Sequence, residues 1–315
     1  MTKIERYRKK LQSEIAYCVM CQPFESGDYI WILGDKIELT VLLQELDIPE
    51  EAWDEVLEGI VCQNCGHSVE LSDTVGTKPE EEQKLEQLYD RLKRVLSPKL
   101  DEFQSHLEKW PYLGLKHPIG KKILKQITDF PIVTIKNSVW YRARAPKSGF
   151  NMNIAELLPP DPAKVVIPEG RYNHFGQQVF YLAASAEAAA LETSIDGQAG
   201  IAWTLGFRIK LAERILDLEP EAGFPNTSLG LLPFGLTYGG HLELKVIRDQ
   251  GWKPEYFIPR FIADCARMSG LNGIKFKGTR SWHSNLVLFS LNDSSVEAVG
   301  EPRILQVNTD KDTEF

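Results

Sequence analysis

Four cysteines near the start of the chain are spaced as metal ligands. Cys18 and Cys21 form one Cys-x-x-Cys pair, and Cys62 and Cys65 form a second. Four thiolates make a closed tetrahedral zinc site, which leaves no coordination position open for catalysis. Gly66 follows directly and suits a tight knuckle, because glycine readily takes a positive φ. The pattern predicts one structural Zn²⁺ ion.

Two other interpretations of these cysteines stay open: a redox dithiol and buried thiols. A thioredoxin-type dithiol needs one pair inside a βαβ unit, and the sequence shows no such unit. The gap of 40 residues between the pairs is longer than in common zinc ribbons. His67 is interpreted as a surface residue of the knuckle, and Cys265 as a small core residue of a helix.

Polar residues in the second half of the chain lie at the ends of predicted strands and on one predicted helix. Glu192 follows four apolar residues of that helix, so it faces either solvent or a pocket. For a single glutamate, solvent exposure is the commoner outcome. The other members of the set are Arg142, Arg171, Tyr172, Tyr181, Thr279 and Asn285.

The joint pattern resembles the RES domain family, which is named for an arginine, a glutamate and a serine. The resemblance covers about residues 140–291 and rests on WYRAR, GRYNHFGQQVFYLAASAEAAALE, GLNGIKF and NLVLF. It implies an ADP-ribosyltransferase-like fold and an enzyme that consumes NAD⁺ by cleaving the nicotinamide–ribose bond, with water or phosphate as the nucleophile. It also implies the toxin of a toxin–antitoxin pair, whose antitoxin carries a DNA-binding domain.

The resemblance also implies roles for individual residues. Arg142 matches the family arginine and Glu192 the family glutamate. Gly278 stands where the family serine is expected, so Thr279 or Ser281 is left to supply the hydroxyl. We therefore expect Glu192, Arg142 and Thr279 in catalysis. The residues expected to bind the dinucleotide are Arg171, Tyr172, Tyr181 and Asn285.

These residue types suit the reaction. A fixed carboxylate stabilises the oxocarbenium-like ribose that forms when nicotinamide leaves. Arginine forks pair with the oxygens of a pyrophosphate. A tyrosine ring stacks on nicotinamide or adenine, with Tyr181 as the first choice and Tyr172 as the second.

Two alternatives to this function are kept. In one, the glycine at position 278 has ended turnover, and the chain is a RES-like binding protein whose zinc segment recruits a partner. In the other, ADP-ribose is transferred to a macromolecule. Incubation with NAD⁺ distinguishes the two alternatives. A binding protein leaves NAD⁺ intact, whereas transfer to a macromolecule labels an acceptor protein. A homodimer is also left open.

The secondary structure predicted around these residues, with short strands and few helices, indicates an α+β fold. The domain prediction is a zinc-binding segment at 1–75, a helical region at 76–130, a RES domain at 131–305 and a frayed tail at 306–315. Residues 219–240 hold five Gly and three Pro and are expected to form a loop. Strands are expected at 139–142, 178–183, 201–211, 273–276 and 285–291, a hairpin at 29–42, and helices at 49–57, 120–128, 184–193 and 258–268.

Composition narrows the function further. A net charge of −8 argues against a protein that mainly grips nucleic-acid backbones. The chain shows no membrane helix and no secretory signal, so a cytoplasmic location is expected. There is no G-x-G-x-x-G motif, and GLKHPIGK has the wrong glycine spacing for a P-loop.

Overall fold

The chain folds as two compact units, residues 1–87 and 88–315. The computed structural model describes residues 2–146, 152–193, 200–220, 225–244, 252–290 and 295–307. Among these residues, no helix has the length and apolar character needed to cross a membrane.

The first unit packs three helices beside a small antiparallel sheet. The sheet has the order β1-β5-β4, and β2 and β3 form a separate hairpin. Leu39, Leu42 and Leu43 lie on one helical face and are buried in the core of this unit. The elements are α1 (Lys3–Glu14), β1 (Tyr17–Cys18), β2 (Phe24–Glu25), β3 (Asp28–Tyr29), β4 (Asp35–Glu38), α2 (Leu39–Glu45), α3 (Trp53–Leu57) and β5 (Thr74–Thr77).

The hairpin predicted over residues 29–42 is wrong. The strand at 35–38 pairs with β5 instead, and residues 39–45 are helical. The spacing of the leucines at positions 39, 42 and 43 follows the helical period of 3.6, and burial of that face decides the conformation. The helix predicted at 49–57 is confirmed as a 3₁₀ turn followed by α3.

The second unit begins with helices and continues into a mixed sheet. Pro98 lies in the first turn of α5, where its missing N–H group leaves no helical hydrogen bond unmade. A π-helical segment, Leu92–Leu96, separates α4 from α5. The helices are α4 (Glu80–Arg91, which crosses the division between the units), α5 (Ser97–Lys109), α6 (Pro118–Gln126), α7 (Ile154–Leu157), α8 (Ala186–Thr193), α9 (Leu231–Tyr238) and α10 (Phe257–Met268).

Six strands form one sheet in the order β11-β8-β6-β7-β10-β9. Neighbours are antiparallel, and the end of β8 additionally pairs with β9 in parallel. Between β6 and β7 a single residue pair, Tyr141 with Ala183, joins the two halves of the sheet. The strands are β6 (Ile132–Arg144), β7 (Phe180–Ala183), β8 (Gly200–Asp217), β9 (Gly273–Lys277), β10 (Ser284–Leu288) and β11 (Val296–Val307).

The predicted α+β class is confirmed, but part of the predicted loop is helical and one strand was not predicted. Residues 231–238 of the expected loop form α9, because their apolar side chains are buried. The strand β11 was not predicted. Buried and exposed residues alternate only weakly along β11, because the strand lies at the sheet edge and its register shifts between Val299 and Arg303. Gln306 and Val307, at the start of the predicted tail, end this strand, and residues 308–315 lie outside the described residues.

The two glycines of GLKHPIGK allow neighbouring groups to pack closely against the backbone. A Cβ atom at Gly120 would collide with the carbonyl oxygen of Gly114, and one at Gly114 would collide with the ring of Phe261. Both positions therefore need glycine for the backbones and the ring to approach each other.

We expect Gly120→Ala to destabilise the protein by about 1–3 kcal/mol, because the added methyl group overpacks this contact. Thermal unfolding of the whole protein measures the effect. Gly230→Ala is the matched control, since a Cβ there meets only Pro233 at 3.8 Å. An unchanged melting temperature for Gly120→Ala would contradict the packing argument.

Candidate active site and metal centre

One cavity in the second unit collects most of the residues predicted for the site. Its volume is about 310 Å³, at the lower end of small-molecule sites. Strands β6, β7, β9 and β10, helix α8 and the turn after β9 contribute to its wall. Six of the seven predicted residues line it: Arg142, Arg171, Tyr181, Glu192, Thr279 and Asn285.

The carboxylate of Glu192 is held by the turn between β9 and β10. Its Oε1 accepts hydrogen bonds from the backbone N–H groups of Arg280 (3.4 Å) and Ser281 (3.3 Å) and from the hydroxyl of Ser281 (3.1 Å). The preceding residues of α8 are buried against the sheet, which brings Glu192 to the cavity wall. Of the two orientations expected from the sequence, the structure shows the one that faces a pocket.

Arg142 borders the cavity at the junction of β6 and β7. Its guanidinium carbon lies 5.1 Å from the ring centroid of Phe180, which is a core residue and not part of the cavity wall. The Nη1 atom is shielded from solvent and has no hydrogen-bond partner among the residues that the structure describes. Burial lowers the pKa of Arg142 to about 9, and the charge of Arg144 adds to this effect. Arg142 is therefore charged at neutral pH, and no ion pair joins it to a carboxylate within the described part of the chain.

Arg171 is largely occupied by the protein itself. It donates hydrogen bonds to the carbonyl oxygens of Leu242 (2.5 Å) and Leu244 (2.9 Å) and reaches the hydroxyl of Thr279 at 3.4 Å. Its guanidinium carbon lies 5.1 Å from the ring centroid of Tyr256. Arg171 thus lines the cavity while its guanidinium is bonded to backbone carbonyl oxygens, and its expected contact with the dinucleotide stays a prediction.

The two tyrosines differ in position. Tyr181 lines the cavity, and its hydroxyl accepts a hydrogen bond from the backbone N–H of Tyr172 and donates to Asn173. Tyr172 is 1% exposed, packs on Phe276 at 4.6 Å and is not part of the cavity wall. Its ring cannot stack on a ligand there, so its predicted role is corrected.

Asn285 is 5% exposed, and its Oδ1, although shielded from solvent, has no hydrogen-bond partner in the described part of the chain. A buried amide oxygen without a donor is costly, because it has lost its hydrogen bond to water. Asn285 pairs with Phe276 of β9, another residue of the cavity wall. The cavity thus offers an acceptor at Asn285 as well as the carboxylate of Glu192.

The sequence prediction missed Tyr256 and Arg280, which also line the cavity. Tyr256 ends a 3₁₀ turn directly before α10, more than sixty residues beyond Glu192 in the chain. Nothing in its local spacing indicated a site. Arg280 follows Thr279 and was visible as a polar residue after a strand.

The four cysteines of the first unit are gathered as predicted. Their sulfur atoms lie within 4.8 Å of one another, and three of the pairs are separated by 3.5, 3.6 and 3.9 Å. Four thiolates around one zinc ion stand roughly 3.8 Å apart, as Zn–S bonds of roughly 2.3 Å in a tetrahedron require. These distances are far longer than a disulfide bond of roughly 2.05 Å. The cluster therefore has the spacing of a metal site.

The surroundings of the cluster also match the prediction. Gly66 has a φ of 74°, and its N–H donates to the carbonyl of Cys62. The amide of Asn64 donates to Cys21 Sγ at 3.3 Å, which is the kind of support that thiolate ligands receive. His67 is exposed and stands outside the cluster, while Cys265 is buried in α10.

The chain belongs to the RES domain family, because the model of that family matches residues 139–310. Among solved structures, it is similar to a chain of the M. tuberculosis MbcT–MbcA toxin–antitoxin complex, with 12% identity and a TM-score of 0.37 over 60% of this chain and 93% of that chain. No curated protein matches it in sequence.

We expect the purified protein to contain about one metal ion per chain, because the four sulfurs already stand at tetrahedral spacing. Elemental analysis of protein purified without added metal measures this. Cys18→Ser should lower the metal content well below that of the wild type, since Cys18 is a buried member of the cluster. Cys265→Ser, outside the cluster, should not. Folded wild-type protein free of metal would contradict the prediction.

Proposed function

We propose that the second unit cleaves NAD⁺ between nicotinamide and ribose, with water or phosphate as the acceptor. The observation that carries this proposal is the carboxylate of Glu192, fixed by three donors in the wall of a cavity that also contains Arg142 and Asn285. Membership of the RES domain family supports the same reaction.

In this mechanism, Glu192 faces the scissile ribose. Its negative charge stabilises the positive charge that develops on the sugar as nicotinamide leaves. Nicotinamide departs as a neutral molecule, so the site needs no strong general acid. The turn at 280–281 holds the carboxylate in place before the substrate binds, which reduces the reorganisation that the transition state requires.

Arg142 is the candidate partner for a substrate phosphate. Its unpaired Nη1 is a buried donor, and an anion placed there would supply the missing hydrogen bond and counter-charge. Arg171 acts differently, because its hydrogen bonds to Leu242 and Leu244 keep the adjoining wall in place. Arg280 brings a further cation to the wall.

Tyr181 and Tyr256 are the aromatic residues of the cavity wall that would contact the nicotinamide or adenine ring. The volume of about 310 Å³ encloses only part of a dinucleotide, so the remainder lies against the surface. Burial raises the pKa of Tyr181, so that its phenol is neutral and serves as a hydrogen-bonding ring rather than as a base. Asn285 is suited to an N–H or O–H donor of the substrate.

We propose zinc as the metal of the first unit, in a structural role. Sulfur-only ligand sets favour zinc or iron–sulfur chemistry, and a single closed tetrahedron of four thiolates is typical of structural zinc. The same elemental analysis identifies the metal. The family also supports a role as the toxin of a toxin–antitoxin pair, with an antitoxin that carries a DNA-binding domain as partner.

The decisive experiment is incubation of the purified protein with NAD⁺, with and without phosphate. We expect nicotinamide release, and we expect Glu192→Gln to lower kcat by about 100-fold or more, because it removes the charge but keeps an acceptor oxygen for the turn. Glu187→Ala, on the same helix but exposed, is the matched control. Expression in bacteria should deplete NAD⁺ with the wild type and not with Glu192→Gln.

NAD⁺ that stays intact with folded, metal-loaded wild-type protein would refute the enzymatic proposal and leave a binding protein. Label from NAD⁺ that ends on a protein instead of in free ADP-ribose or its phosphate would point to transfer to a macromolecule. Normal turnover by a folded Glu192→Gln variant would remove this glutamate from the mechanism.

Arg142→Ala is expected to raise the KM for NAD⁺ by about tenfold while kcat changes less, because a charge-assisted hydrogen bond to a phosphate is lost. Steady-state kinetics of both variants and the wild type measure this. Arg208→Ala, an exposed arginine of the neighbouring strand β8, is the control and should leave KM unchanged. An unaltered KM in folded Arg142→Ala would place the guanidinium outside the binding site.

A further inference from the structure

A side chain at position 278, in the turn after β9, would force neighbouring side chains to move. A Cβ atom built on Gly278 would lie 2.6 Å from Ser281 Oγ and 2.7 Å from Asn285 Nδ2, and it would also collide with Glu192 Oε1. Contacts this short do not occur between unbonded heavy atoms of these types. The space that a residue at 278 would fill is already taken by the side chains of Glu192, Ser281 and Asn285.

The hydroxyl of Ser281 has one fixed orientation. Its oxygen accepts a hydrogen bond from the backbone N–H of His283 at 3.3 Å, and its single proton is donated to Glu192 Oε1 at 3.1 Å. Ser281 is 7% exposed, so water competes little for either bond. A hydroxyl has only one proton to give, and here the carboxylate receives it.

Thr279 carries the other hydroxyl of this turn, and this hydroxyl contacts a different residue. The nitrogen atom Nη2 of Arg171 reaches its Oγ1 at 3.4 Å. The hydroxyl that contacts Glu192 in the described part of the chain is that of Ser281. Of the two hydroxyls that the sequence left open, the geometry favours Ser281 for contact with the carboxylate.

We propose that Ser281 is a positioning residue for Glu192, and that glycine at 278 is the condition that lets its hydroxyl reach the carboxylate. The proposal rests on the proposed function, because it concerns the orientation of the carboxylate that faces the ribose. Together with the N–H groups of Arg280 and Ser281, the hydroxyl fixes one carboxylate oxygen in the turn. The carboxylate is then presented to the cavity in a single orientation.

The turn also offers a matched control. Ser284, three residues further along, donates its hydroxyl to the carboxylate of Glu219 at 2.7 Å. Neither Ser284 nor Glu219 lines the cavity. Ser284→Ala therefore removes a comparable hydroxyl–carboxylate contact from the same segment without touching the site.

The test is a comparison of steady-state NAD⁺ cleavage by the full-length wild type, Ser281→Ala, Gly278→Ala and Ser284→Ala, with thermal unfolding of each. We expect Ser281→Ala to lower kcat about ten- to a hundredfold, with KM within about threefold of the wild type, because a hydrogen bond to a charged group is lost but substrate contacts remain. Gly278→Ala should lower kcat at least as much, since its methyl group displaces the carboxylate. Ser284→Ala should keep kcat within about threefold, because Ser284 does not contact the site.

Wild-type kcat in folded Ser281→Ala would overturn the positioning role while leaving the proposed reaction intact. Equal losses in Ser281→Ala and Ser284→Ala would also overturn it, because the turn would then matter only as a whole. A wild type that leaves NAD⁺ intact would instead overturn the proposed function, and the positioning role with it.

Discussion

The hydrogen bonds between Glu192 and the turn at 280–281 are the interaction on which the cavity depends. A partly buried carboxylate needs donors, because it has given up part of its hydration. Here two backbone N–H groups and one hydroxyl supply them to a single oxygen. The contact joins α8 to the far end of the sheet, so it shapes the cavity wall and orients its acidic group at the same time.

The cations around this carboxylate are not equivalent. Arg171 is committed to carbonyl oxygens of the chain, whereas Arg142 keeps a buried Nη1 without a partner. A shielded donor without a partner costs free energy unless a ligand supplies an acceptor. Preorganised sites commonly carry such a cost, and its presence at the edge of this cavity is consistent with an anionic ligand.

The stability of the first unit is limited by its size. Its core is small, and a domain of this size buries a limited fraction of its apolar surface. Two cysteine pairs, one following β1 and one in the knuckle closed by Gly66, meet across this core. A metal ion bound by them would link two distant parts of the chain and add its binding free energy to folding.

The sequence by itself determined what local patterns encode. The paired cysteines and Gly66 predicted the knuckle, strand-like segments predicted most of the sheet, the alanine-rich stretch predicted α8, and residues 258–268 predicted α10. It misassigned residues 29–42 and 231–238, where burial overrode turn and strand signals. It also missed β11, an edge strand with little alternation. Only the tertiary structure decided that Tyr172 turns into the core, that Arg171 binds carbonyl oxygens, and that Ser281 rather than Thr279 contacts Glu192. Those outcomes depend on which groups from distant parts of the chain come within hydrogen-bonding distance, and local spacing carries no information on that.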